Sequence, residues 1–308
     1  SHVDHTLLKP EATWPQIQTL CDEAIANHTA SICINTCYVR QANGELPGAC
    51  VRGVHLEGPF INPKRRGAMA GEYVLAPTEG NFQALVGEHE KIIRAITVAP
   101  EMPGACELAE RLASRGIHVQ AGHTDADYAG MKRAAEHGFS GITHMFNAMA
   151  DIEHRKPGPA AFGMLDDRIC VEAICDFVHL AEPVVRLIFK AKGAAGIAMV
   201  SDCGMVSGMP EGEYTQNNHY ILVKDNRCYS ASGGISGSYV FLDSGVRCVA
   251  GAGIPMEDAF TAASATPARC LGFSKTLGDL VPGMAASLAG WDSGLNWACA
   301  GTDAFSKA

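Results

Sequence analysis

The sequence predicts an α/β chain: a (β/α) barrel of the TIM type, incomplete at its first strands, with part of a small β side domain from the C-terminus. Three observations predict it. Between Gly53 and Val200, short apolar runs alternate with amphipathic stretches of helical length, the pattern of parallel βαβ units. Four of those runs end on a metal-ligating or acid–base residue, Glu57, His123, His144 and Asp202, and barrel chemistry sits at the C-terminal ends of strands. After Asp202 the texture turns glycine-rich and polar over 204–236, so the alternation stops there.

The elements follow in order. Thr13-Trp14-Pro15-Gln16 has the form of a capping box, and Ile17, Leu20, Cys21, Ala24 and Ile25 then keep helical spacing. Ala30–Ile34 is a short buried-strand candidate. A polar connection over 40–52 leads to strand Gly53–Glu57 and a long loop containing Lys64-Arg65-Arg66-Gly67. A helix around Asn81–Glu88 precedes strand Ile93–Ala99, and helix Ala105–Arg115 stops at Gly116. Strand Ile117–Ala121 delivers His123. A second capping box, Thr124 with Asp127, then opens a helix that ends at Gly138. Strands Gly141–Met145 and Ile169–Cys175, helix Pro183–Lys192 and strand Gly196–Val200 complete the series. Six strands run from Gly53, the N-terminal unit makes seven, and a closed barrel wants eight. Beyond Asp202 the pattern predicts a hairpin of Tyr220–Val223 and Cys228–Ser230 around Asp225-Asn226. Helices at about 237–250 and 257–264 follow, and Leu277–Trp291 has the look of β-strands of a side domain.

Composition excludes several classes. The 308 residues carry a net charge of −9, with no basic block and no interleaving of aromatic and basic residues. Nucleic acid and anionic membrane surfaces are therefore not expected partners. No apolar run reaches the ~20 residues of a membrane span. The opening Ser-His-Val-Asp-His has no secretory-signal pattern. The twelve cysteines are scattered without a Cys-x-x-Cys pair, as expected for free thiols in a reducing cytoplasm.

Glu57, His123 and His144 are one carboxylate and two imidazoles, a donor set that suits Zn²⁺ or Fe²⁺ and leaves positions open. A cation there lowers the pKa of water and polarises a carbonyl. Asp202 could accept a proton and return it to a leaving amine, so the four together read as amide hydrolysis. Taken singly, a strand-end Glu is more often solvated or ion-paired and a lone His more often structural. Their joint position at successive strand ends is what points to a site. His55 and His118 lie within strands and read as packing residues. His179, after Asp176-Phe177, reads equally as a substrate contact or a polar loop residue. Backbone amides at Asn147-Ala148 could cradle an anion, and Arg155 offers a bidentate donor to phosphate or carboxylate.

Gly-Val-His-Leu-Glu-Gly-Pro-Phe (53–60), Val-Ala-Pro-Glu (98–101), Ala-Gly-His-Thr (121–124), Thr-His-Met-Phe-Asn-Ala-Met (143–149) and Val-Ser-Asp (200–202) resemble the N-acetylglucosamine-6-phosphate deacetylases of the amidohydrolase superfamily. The resemblance runs in order from about residue 42 to 291. It implies that Glu57, His123 and His144 hold the divalent metal and that Asp202 is the general base and then acid. It also implies that His179, Asn147 and Ala148 contact a phosphorylated amino sugar, and that Arg155 reaches the phosphate held by the neighbouring subunit of a homodimer. Gly67 is followed by Ala68 and Met69 where that family has a phosphate-contacting His. Nothing in 1–52 supplies the His-x-His that would bring a second metal.

The start differs. Asp4-His5-Thr6-Leu7-Leu8-Lys9-Pro10 and Ser31-Ile32-Cys33-Ile34-Asn35 resemble the N-terminus of deoxyribose-phosphate aldolases, without a matching Schiff-base lysine on a later strand. The expected organisation is an aldolase-like helix–strand segment over 1–41, a metal-dependent hydrolase barrel over 42–275 and a remnant of a small β domain over 276–308. Two alternatives stand beside deacetylation. One is a truncated or fused barrel that only binds metal or sugar phosphate. The other is an amidohydrolase acting on a different N-acyl amine.

Overall fold

The computed structural model describes residues 4–7, 31–34, 52–69, 71–216, 219–282, 284, 289–291, 295 and 297–300. The helix expected around Ile17–Ile25 lies outside them. Strands β1 (Asp4–Leu7) and β2 (Ser31–Ile34) pair in parallel. The strand expected at Ala30–Ile34 is therefore present, but its partner among the described residues is β1. It does not become a seventh strand of the barrel sheet.

That sheet has six parallel strands curled into half a barrel. They are β3 (Val54–Glu57), β4 (Ile93–Val98), β5 (His118–Ala121), β6 (Phe139–Ile142), β7 (Cys170–Ile174) and β8 (Ile197–Val200), hydrogen-bonded in chain order. A strand covered on both faces carries apolar residues continuously. Accordingly β4 buries Ile93, Ala95, Ile96, Thr97 and Val98 and exposes Arg94. The edge strand β3 exposes His55 and Glu57 and half-buries Val54 and Leu56. His55, expected as a packing residue, thus stands exposed on the strand that ends the sheet among the described residues.

Helices α1 (Glu79–Val86), α2 (Ala105–Ser114), α3 (Tyr128–Glu136), α4 (Gly158–Leu165) and α5 (Glu182–Lys192) connect the strands. Each of α1, α2 and α5 turns one apolar stripe inward: Phe82 and Val86, then Leu108 and Leu112, then Val185 and Ile188. Burying a side chain of this size contributes about 1.5–3 kcal/mol. The expected capping box at Thr124 is corrected. Asp127 caps α3 itself, accepting from the Gly130 amide, while Thr124 is buried and bonds Glu101. Helix α4 was not expected from the sequence. It opens on Gly-Pro and buries Pro159, Ala160, Ala161 and Phe162 on all sides, so no amphipathic period marks it.

After β8 the chain forms an antiparallel sheet of β9 (Gly212–Gln216), β10 (His219–Lys224) and β11 (Arg227–Ser230), the last two being the expected hairpin. Asp225 and Asn226 both take positive φ, 51° and 56°, as a tight two-residue turn matching strand twist requires. Helices α6 (Leu242–Gly251), α7 (Met256–Phe260) and α8 (Thr266–Cys270) follow, with a π-helical segment Thr261–Ala265 between the last two. Near the C-terminus β12 (Ala289–Trp291) pairs antiparallel with β13 (Trp297–Ala300), and the Trp291 ring lies 5.8 Å from that of Phe260. Among the described residues no helix is long and apolar enough to cross a membrane.

Candidate active site

The C-terminal ends of the barrel strands share an unusual backbone. His123, His144, Phe146, Ala148, Phe177 and Asp202, each just past a strand, take φ between 28° and 74°. Non-glycine residues reach that region at a cost and concentrate at functional sites. Strand β6 stops at Ile142, earlier than expected, so His144 stands in the strained turn beyond it.

Tight packing sets the two histidines. A Cβ on Gly122 would lie 2.6 Å from Thr97 Cγ2 and 2.9 Å from Thr143 Cβ, so only glycine lets the chain turn there into His123. The loop after β3 folds over the same residue. Asn62 N–H donates to the His123 carbonyl at 3.0 Å, and His123 Nδ1 lies 2.7 Å from the Arg65 carbonyl. Glu101 binds the loops together, accepting from Asn62 Nδ2, Thr124 Oγ1 and the Asp125 amide.

Three ligand atoms converge. Glu57 Oε1 lies 2.8 Å from His123 Nε2 and 2.9 Å from His144 Nε2, and the two nitrogens are 3.1 Å apart. The His123 and His144 side chains are 6% and 7% exposed, against 39% for Glu57 on its edge strand. Since the Arg65 carbonyl can only accept, His123 Nδ1 carries a proton, which leaves Nε2 to face the Glu57 carboxylate. Two imidazole nitrogens and a carboxylate oxygen this close need a cation among them. Protons can serve: burial opposes charge on His144, but its hydrogen bond to Glu57 and the charges of Glu57, Asp202 and Glu172 lift it to about 9. Burial alone would raise Glu57, yet the two imidazoles hold it well below the usual carboxylate range. A divalent cation meets the same demand, and a carboxylate with two imidazoles is a donor set of the right chemistry. The donors present therefore fit a metal.

Asp202 follows β8. Burial, then the charge of Glu57, push its carboxyl up to about 6, with His144 and His179 pulling the other way. His179 is a buried partner of Asp176: its amide and Nδ1 lie 2.8 Å from Asp176 Oδ1 and Oδ2. Asn147 and Ala148 occupy the turn after His144. The Asn147 amide, expected to be free for an anion, donates instead to the His144 carbonyl at 2.9 Å. Its Nδ2 braces the His144 and Met145 carbonyls. Gly67 packs against His123 and Ala148, and Met69 lies beside Gly58. Arg155 stands exposed, its Nη1 donating to His154 Nε2.

Beneath the ligands lies a polar layer that sequence reasoning missed. His55 Nε2, Thr97 Oγ1 and Thr143 Oγ1 form a hydrogen-bonded chain. Gln120 Nε2 donates to Glu172 Oε1 at 2.7 Å, and Glu172 Oε2 faces the His144 amide at 3.4 Å. A signal did exist, since Thr97, Gln120 and Glu172 are polar residues among the apolar ones of strands covered on both faces.

The chain matches the model of the amidohydrolase family over residues 22–306. It is similar to the N-acetylglucosamine-6-phosphate deacetylase of Lysinibacillus sphaericus, 36% identical over 200 residues, 64% of this chain and 51% of that protein. The N-acetylgalactosamine-6-phosphate deacetylase of Escherichia coli O157:H7 is 32% identical over 251 residues, 81% of this chain and 66% of that protein. Among solved structures, a mutant N-acetyl-D-glucosamine-6-phosphate deacetylase from Mycobacterium smegmatis in complex with N-acetyl-D-glucosamine-6-phosphate superposes with a TM-score of 0.80 at 28% identity. That match covers 97% of this chain and 74% of that one. The chain spans about half to two thirds of the length of these curated relatives.

Proposed function

The chain belongs to the amidohydrolase family, and on that premise we propose that it is a metal-dependent deacetylase, cleaving N-acetylglucosamine 6-phosphate to glucosamine 6-phosphate and acetate. The observation that carries the reading is the convergence of Glu57, His123 and His144 at the strand ends. Its sugar-phosphate substrate is taken from the relatives that the chain matches.

In this reading Glu57, His123 and His144 hold one divalent ion, zinc or iron. When bound, that ion makes water more acidic and polarises the acetamide carbonyl. Asp202 takes the proton from the attacking water and passes it to the departing amine. A carboxyl lifted to about 6 is suited to both transfers near neutral pH. Asp176 holds the His179 ring against the sugar. Asn147 and Ala148 shape the substrate side of the turn after His144. Arg155, exposed on its loop, reaches the phosphate bound by a second copy, which makes the working unit a homodimer. The barrel over 42–275 carries the chemistry, 1–41 forms a separate segment and 276–308 contributes to a small β domain. The compartment is the cytoplasm, where free thiols persist.

The test is acetate release by purified protein supplied with Zn²⁺ or Fe²⁺, beside an Asp202→Asn control and with N-acetylgalactosamine 6-phosphate as second substrate. Metal-dependent release from the gluco sugar that disappears in the control is the expected result. Release from the galacto sugar alone would move the substrate. One observation favours a second reading, a barrel that binds metal or sugar phosphate without turnover: among the described residues Glu57 lies on a terminal strand of the sheet, and its side chain is 39% exposed. No release from either sugar by folded, metal-loaded protein would establish that reading and overturn the first.

A further inference from the structure

Strand β4 supplies none of the three converging ligands, yet it buries a hydroxyl. Thr97 is fully buried on a strand whose other buried residues are Ile93, Ala95, Ile96 and Val98. Glu57 comes from β3 on one side of it, and His123 and His144 follow β5 and β6 on the other. A hydroxyl persists in such a strand where it is hydrogen-bonded, and Thr97 has two partners. His55 Nε2, from the residue two before Glu57, lies 2.8 Å from Thr97 Oγ1. Thr143 Oγ1, from the residue just before His144, lies 2.7 Å from the same oxygen. That second bond skips a strand, because β5 runs between β4 and β6. It closes over Gly122, the residue just before His123: a Cβ there would lie 2.6 Å from Thr97 Cγ2 and 3.2 Å from Thr143 Oγ1. Glycine leaves the room in which the two hydroxyls meet. The brace His55–Thr97–Thr143 therefore touches the chain one or two residues before each of the three ligands.

We propose that Thr97 is a positioning residue of the metal centre: its hydroxyl, bonded on both sides, sets the spacing of Glu57 against His123 and His144. The proposal rests on the metal reading given above and adds a residue that touches neither metal nor substrate. Each hydroxyl has one proton to give, so the hydrogen bonds run in one direction along the brace. Thr97 is the member that donates to one neighbour and accepts from the other. Its register places it beside Glu57 on β3 and beside Gln120 on β5, so the brace crosses the sheet at the level where the ligands leave it. Without that hydroxyl, no hydrogen bond links His55 to Thr143, and β3 and the turn after β6 are free to shift against each other. Donors that must be drawn together on binding hold a cation more weakly than donors already in place, and losing an outer partner typically costs ~10–100-fold in metal affinity.

The experiment compares two substitutions in the intact chain. Thr97→Val keeps the branched shape and removes both hydrogen bonds, whereas Thr97→Ser keeps the hydroxyl and removes the methyl that packs on Gly122. Each protein is stripped of metal, its folding checked by circular dichroism, and its Zn²⁺ affinity measured in competition with a chromophoric chelator. The visible absorption of the Co²⁺-loaded protein reports ligand geometry. The expected result for folded Thr97→Val is a Zn²⁺ affinity at least ~10-fold weaker and altered Co²⁺ bands. Thr97→Ser retains the wild-type affinity and spectrum. Should Thr97→Val fail to fold, Thr143→Val breaks the same brace from its far end and carries the same expectation. Wild-type affinity and spectrum in the folded valine variant overturn the proposal and leave the metal centre standing. Equal losses in the valine and serine variants also overturn it, by assigning the effect to packing. A wild-type protein that binds no Zn²⁺ overturns the metal reading itself, and the positioning role falls with it.

Discussion

The two ends of the barrel strands solve the same geometric problem in different ways. Where the chain turns from a helix into β5, β6 or β8, the left-handed position belongs to a glycine: Gly116, Gly138 and Gly193, with φ of 82°, 94° and 70°. Where it leaves β5, β6, β7 or β8, the left-handed positions belong to His123, His144, Phe146, Ala148, Phe177 and Asp202. Glycine adopts this conformation freely, whereas any other residue gives up about 1–2 kcal/mol. The difference teaches which end does chemistry. A turn that only reverses the chain can use glycine, but a turn that must present an imidazole or a carboxylate has to accept the strain.

The comparison can be broken first at the ligands. Glu57→Gln removes the negative charge on which both imidazoles converge. Metal content measured after dialysis should fall by at least ~100-fold in affinity, and acetate release should fall with it. Normal metal affinity in this variant would remove the metal centre from the strained end.

Gly122→Ala tests the packing that presents His123. The new Cβ would collide with Thr97 on β4 and with Thr143 just past β6. A loss of about 3 kcal/mol in urea unfolding is expected, the upper range for overpacking.

At the other end, Gly116→Ala isolates backbone strain, because an added Cβ there meets nothing within 4 Å. Its expected cost is about 1–2 kcal/mol by the same measurement. A neutral outcome would show that the left-handed turns carry little strain, and the contrast between the two ends would lose its energetic meaning.

His118 sharpens the contrast through pH. Burial, then the charges of His55 and Arg269, lower its pKa from the usual 6.5 to about 4. Below about 6.5 the unfolded chain takes up a proton that the folded chain refuses. Stability therefore falls as pH drops from 6.5 to 4 and is unaffected by this group above 6.5. The slope is about 1 kcal/mol per pH unit, somewhat less than the full linkage value because the ring is half-buried. In His118→Gln the stability curve should be flatter over that window by this amount.

Much of this was legible because it is local. Apolar runs of strand length, glycine helix stops and the Asp225-Asn226 turn each follow from a few neighbouring residues, and the structure has them close to their expected places. Glu57, His123, His144 and Asp202 stood out for the same reason, each being a polar residue just past an apolar run. Features without a local pattern were missed. Helix α4 is apolar on every side, and β9 depends on β10 for its pairing. Asp127 caps the helix, whereas Thr124 accepts from the Ala126 amide and donates to Glu101 on another loop.

By itself, then, the sequence determined the alternation of strands and helices and the identity of the residues at each strand end, since side-chain period and turn chemistry act over a few positions. The tertiary structure alone decided that, among the described residues, β2 pairs with β1 while β3 ends the six-stranded sheet. It also decided that Glu57 meets His123 and His144, and that Thr97, Gln120 and Glu172 form a layer beneath them. Each of these contacts joins segments distant along the chain. Their distances depend on how the whole sheet curls and on what its helices bury, and no short stretch of sequence contains that information.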